Sequence, residues 1–95
     1  MTPEQIDAYY TALLDCAKRY ASMASVDDTL LTRDPQQALS SFIAEFNQAI
    51  VDRLPLLKLN RWLGYIQGVL IARGCTDVET ERDFTRPYFR PIDFF

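Results

Sequence analysis

Leu59-Asn60-Arg61-Trp62-Leu63-Gly64-Tyr65-Ile66-Gln67-Gly68-Val69-Leu70-Ile71-Ala72-Arg73 decides the fold, because on a helical wheel it carries two surfaces rather than one apolar stripe. Leu59, Trp62, Leu63, Ile66, Leu70 and the stem of Arg73 share one face. Asn60, Gly64, Gln67, Gly68 and Ile71 share another. The Gly-x-x-x-Gly spacing sets two missing side chains one turn apart, which lets a second backbone come close. Each interior glycine costs about 1 kcal/mol of helix propensity relative to alanine, so something should compensate. The pattern predicts a central helix over roughly residues 57–73. It also predicts that the glycine face packs against another helix, within the chain or across a dimer, with a ligand groove as the alternative.

Working toward the N-terminus, Pro55 lacks an N–H and disfavours helical geometry at Leu54, so the chain should turn there. Before the turn, Leu39, Phe42, Ile43, Phe46, Ile50 and Leu54 trace a helical stripe. Asp34-Pro35-Gln36-Gln37 supplies a start signal for that helix, placed at roughly 35–53. Val26 to Asp34 breaks the period and is rich in Asp and Thr, which bond local backbone, so it reads as a connection. Ahead of it, Ile6, Tyr9, Tyr10, Leu13, Ala17, Tyr20 and Ala24 recur at helical steps, with Asp7, Thr11, Asp15, Lys18 and Ser22 opposite. Thr2-Pro3-Glu4-Gln5 forms a capping-box start, and the first helix should end near Ser25. Asp15 and Arg19 have the spacing of an i,i+4 ion pair.

Toward the C-terminus, Gly74 stands where helices end, and Thr76-Asp77-Val78-Glu79 reads as a second capping box. It opens a short fourth helix from about Asp77 to Phe84. Pro87 and Pro91 argue against a longer one, so Thr85 to Phe95 is expected as an aromatic, proline-containing tail. The tail's Phe84, Tyr88, Phe89, Phe94 and Phe95 would close the base of the core, while Arg82, Arg86 and Arg90 pair with Asp77, Glu79, Glu81, Asp83 and Asp93. Any exposed part of it would mark an interface. The fold expected is all-α: a compact helical bundle of three long helices and one short one, in a single domain over residues 1–95.

Composition narrows the function classes. The chain is 48% hydrophobic and 13% aromatic, enough to build a core without metal or disulfide. A net charge of -3 offers no excess of cations for a phosphate backbone and is too small to mimic a nucleic acid. Cys16 and Cys75 match no CxxC spacing and read as two buried, reduced thiols of a cytoplasmic protein. No basic-then-apolar leader is visible, and the apolar run Trp62 to Ala72 is too short for a bilayer, so no membrane partner is expected. With no histidine, Ser-His and Cys-His nucleophile chemistry is excluded. Asp27-Asp28 and the Asp77–Asp83 run read as a loop and a solvated helix face, not as a carboxylate pair or metal site. Gly64 to Gly68 lies within a helix and cannot form a phosphate loop. Arg61, Trp62, Tyr65 and Arg73 mix cations with aromatics, but Trp62 and Arg73 belong to the core face, so too little is free to track a nucleic-acid strand.

The stretch Leu59 to Gly68, followed by Arg82-Asp83 and Thr85 to Phe94, resembles small phage- and prophage-encoded helical proteins of unassigned function, over about the last 40 residues. The resemblance implies a host-directed accessory factor, acting in the host cytoplasm, that binds and inhibits a host protein or defence complex. It assigns no site. On the residues themselves the expectation is a non-enzymatic interaction protein without cofactor or metal, in the form of a homodimer or a complex with a host protein. Its contact residues would come from Asn60, Arg61, Gly64, Tyr65, Gln67 and Gly68 on the third helix, or from Arg86, Tyr88, Phe89, Arg90, Phe94 and Phe95 in the tail. Two other classes remain in play: a sponge for a small nucleotide-like signalling ligand, and a structural or assembly protein.

Overall fold

The computed structural model describes the backbone of residues 2–31 and 39–93, and within these the side chains of residues 2–26 and 39–89. Among the described residues there are four α-helices and no strand: α1 (Pro3–Leu31), α2 (Leu39–Val51), α3 (Leu56–Ala72) and α4 (Val78–Asp93). At 1.5 Å per residue α1 is about 43 Å long. That length matches the 44 Å long axis of the molecule, and α2, α3 and α4 all pack against α1.

The capping box at Thr2 forms as its spacing requires. Gln5 N–H donates to Thr2 Oγ1 at 3.2 Å and Thr2 N–H donates to Gln5 Oε1 at 2.7 Å. The stripe that follows is the core face: Tyr9, Leu13, Ala17, Tyr20 and Ala24 are buried. The helix does not stop near Ser25 but runs through Val26 and the Asp27-Asp28-Thr29 stretch to Leu31. An established helix gains one hydrogen bond per residue added, which outweighs the weak local preference of Asp and Thr for turns. The expected start at Asp34 lies outside the described residues. Leu39, Ile43, Phe46 and Ile50 of α2 are buried against α1 as the stripe predicts.

The turn at Pro55 forms, and two polar ties lock it to α1. Leu54 N–H donates to Ala49 O and Arg53 N–H to Ile50 O, a C-terminal closure that puts Arg53 at φ 56, where glycine is usual. Tyr10 OH donates to Leu54 O at 2.7 Å, while the Arg53 guanidinium lies over the Tyr10 ring and pairs with Asp7 at 2.6 Å. Leu59, Leu63, Ile66 and Leu70 of α3 then close a triangle with α1 and α2, and Trp62 packs half-buried on Phe42 and Phe46. Arg73, assigned by its spacing to the core face, is exposed at the helix end.

The C-terminal segment departs most from expectation. The fourth helix is not short and no proline-broken tail follows Phe84: α4 continues through Pro87 and Pro91 to Asp93. Pro87 leaves the Asp83 carbonyl without its helical donor, but Pro87 and Asp83 are both exposed, so water can take that place. Asp77 rather than Thr76 caps the helix, accepting from Thr80 N–H at 2.9 Å. Gly74 ends α3 in the left-handed region at φ 78, as its position suggested.

Candidate functional site

Three places combine chemistry with shape: a buried polar cluster between α1 and α4, the clefts beside it, and the outer face of α3.

The cluster centres on Glu81, whose side chain is 4% exposed. It was expected on a solvated face, and the structure reverses that. Arg19 donates to both carboxylate oxygens, from Nε at 3.1 Å and Nη2 at 3.0 Å. Tyr20 OH donates to Oε1 and Thr76 Oγ1 to Oε2, and Tyr20 OH in turn accepts from Gln67 Nε2 at 2.9 Å. Arg19 therefore pairs across the fold and not with Asp15, and its guanidinium also covers the Phe84 ring at 4.4 Å. Burial pushes the Glu81 carboxyl up, but hydrogen bonds from Arg19, Thr76 and Tyr20 outweigh it and hold the group below the ordinary carboxylate range. Arg19 is held above its ordinary value, first by its bond to Glu81. Burial drives the Tyr20 hydroxyl well above the usual phenol value. Every strong acceptor position on Glu81 has its donor. The cluster is a closed ion-pair network without a proton to offer, and it fastens α4 to α1.

Beside it, a cleft of about 150 Å³ opens between Gln67, Ile71, Val78, Glu81, Arg82 and Thr85. A second, of about 250 Å³, lies between α1 and α2 and is lined by Ala17, Lys18, Ala21, Ser40, Ile43, Ala44 and Asn47. Both fall below the roughly 300 Å³ at which ligand pockets usually begin. Neither brings a cation to an aromatic ring, the pairing a nucleotide base and phosphate would ask for.

The outer face of α3 is the opposite case. Leu57, Lys58, Arg61, Gly64, Tyr65, Gly68 and Ala72 are all exposed. At 100° per residue they fall in one arc of about 120°, along about 22 Å of helix. Leu57 is 66% and Tyr65 59% exposed. A Cβ built on Gly64 or on Gly68 would meet nothing within 4 Å. The close helix–helix approach expected from these glycines is therefore not made among the described residues. What they leave is a shallow channel, flanked by Tyr65, whose ring stands edge-on against Phe42 at 5.1 Å. No acidic residue occurs between Asp52 and Asp77, whereas Arg53, Lys58, Arg61 and Arg73 do. Arg53 is engaged with Asp7; Lys58 and Arg61 have no carboxylate within ion-pair distance among the described residues.

The residues named from the sequence thus separate. Arg61, Gly64, Tyr65 and Gly68 share the open arc. Asn60 and Gln67 are half-buried at its edge, and Gln67 is drawn into the Tyr20 bond. On α4, Arg86 is exposed and pairs with Asp83 at 3.8 Å, and Tyr88 is 39% exposed. Phe89 is buried on the Tyr9 ring at 5.1 Å and belongs to the core. The side chain of Arg90, and Phe94 and Phe95 altogether, lie outside the described residues. Glu81 and Arg19 were missed because their partners are 62 residues apart in sequence. Of the two thiols expected to be buried, Cys16 is, and Cys75 is exposed.

Among the described residues no group of His, Cys, Asp or Glu could hold a metal ion, and no helix is long and apolar enough to cross a membrane. No protein-family model, curated protein or solved structure matches the chain.

Proposed function

We propose that this chain is a non-enzymatic binding protein that docks another protein on the outer face of α3. The observation that carries the reading is the open Gly64–Gly68 channel, with exposed Leu57 and Tyr65 on the same arc. Two glycines in a helix interior cost stability, and no contact among the described residues offsets that cost; a partner that enters the channel does. Lys58 and Arg61 ask that partner for carboxylates, and Tyr65 for an apolar or aromatic contact, the mixture common at interface hot spots. The resemblance to phage-encoded proteins supports a host protein or defence complex as the partner, inhibited by occupation of the surface it offers. The buried cluster around Glu81 has every acceptor filled and supports a structural part rather than chemistry.

The test fills the channel without touching the core. In Gly64→Arg/Gly68→Arg the new side chains project where a Cβ meets nothing, so the fold should survive. Host protein captured by the wild type should be lost from this variant while its melting temperature does not fall. Capture that persists removes the α3 face from the account.

A further inference from the structure

We infer that α4 is a latch: it opens as a unit about the Arg73–Asp77 turn while α1, α2 and α3 keep their packing, and in opening it uncovers the strip of α1 that carries Arg19, Tyr20 and Cys16.

The core is divided unequally. Among the described residues, all but one of the buried apolar side chains belong to α1, α2 and α3, and the exception is Phe89. Those three helices contact one another in all three pairings, so they keep a shared core of their own when α4 leaves. The main contact of α4 is with α1. Among the described side chains it includes three points: the Glu81 carboxylate on Arg19 and Tyr20, the Phe84 ring under the Arg19 guanidinium, and Phe89 on Tyr9. Val78 at 52% and Tyr88 at 39% exposure face water.

The energetics of those points favour release in one step. An ion pair in a protein gives up hydration to form, and regains it when it parts, so opening costs less than parting an equal area of apolar core. Segments with few buried apolar contacts open at free energies well below that of global unfolding. The five-residue turn is suited to act as the pivot. Its Gly74 already sits at φ 78, and Gly74 and Cys75 are exposed. The network also makes the event cooperative: Thr76, Arg19 and Tyr20 all end on one carboxylate, so none can leave without loosening the rest.

The chain carries its own reporter. Cys16 is fully buried on the α1 stripe shared with Tyr9 and Tyr20, both anchors of α4. Burial, then the charges of Asp15 and Glu81, push its thiol up to about 12, so it is inert while the latch is shut. Cys75 is exposed. In the full chain with Cys75→Ser, labelling of Cys16 by Ellman's reagent should proceed at a rate set by α4 opening. Native-state amide exchange on the same protein should show the α4 amides sharing that opening free energy, with a small denaturant slope, below the values for α2 and α3. Glu81→Gln should raise Cys16 labelling about 10- to 100-fold, the factor that corresponds to losing a charged hydrogen bond, and leave α2 and α3 protection in place. If Cys16 and the α4 amides instead exchange only with the global slope, shared with α2 and α3, the latch is overturned. The wild-type exchange data decide this even if the variant does not fold. Either result leaves the α3 face untouched, since no residue of its arc contacts the network.

Discussion

The α1–α2–α3 body and α4 are helical to a similar degree and are held by different physics. In the body, large side chains such as Tyr20, Phe46, Ile66 and Leu70 are removed from water. Among its described side chains, α4 brings one buried aromatic and one buried carboxylate, and it fastens through charge. Apolar burial is non-directional and spread over many contacts, so losing one side chain weakens the whole body. An ion-pair network is directional and concentrated, so one substitution undoes it. The two regions should therefore fail separately, and substitutions in each should separate their contributions.

The largest effect is expected in the body. Phe46→Ala should cost about 3–5 kcal/mol and Ile66→Ala about 2–5 kcal/mol, seen as a fall of the denaturant midpoint with all probes coincident. Next comes the clasp. Glu81→Ala should cost about 2–3 kcal/mol, less than a fully buried pair because the Arg19 side chain is 28% exposed and can be rehydrated. Circular dichroism should show partial loss of helix before the main transition. Acid should act on the same point. The folded-state value of Glu81 is depressed, so its contribution is complete above the ordinary carboxylate range and is lost as pH falls through the folded value. The melting temperature should drop below about pH 4, and Glu81→Gln should blunt that drop. The smallest effect carries the opposite sign. Gly64→Ala and Gly68→Ala should each stabilise by about 0.5–1 kcal/mol, because helix propensity rises and nothing is displaced. A loss of stability at either would mean that the channel is packed.

Local signals in the sequence carried the fold a long way. The Thr2 capping box, the Pro55 turn, the Gly74 stop and the stripes of α1, α2 and α3 are all set by neighbours within a turn or two, and they appear where spacing puts them. The errors share a cause. Asp27 and Asp28 within α1, and Pro87 and Pro91 within α4, were read from single-residue preferences that helix propagation overrode. Glu81 sits in an acidic run that looks solvated, and only the return of the chain past Arg19 and Tyr20 turns it inward. Gly64 and Gly68 were legible as a special face. Whether that face is filled depends on what stands opposite, and among the described residues nothing does.

The docking of a partner on the outer face of α3 can be checked in living cells by site-specific photocrosslinking. A benzophenone side chain placed at Tyr65, 59% exposed on the arc, should give one discrete adduct in living cells. The same group at Ser22, exposed on α1, should give none. An adduct at Tyr65 that disappears in the Gly64→Arg/Gly68→Arg background is the expected outcome. No adduct at Tyr65, or the same adduct from both positions, would contradict it.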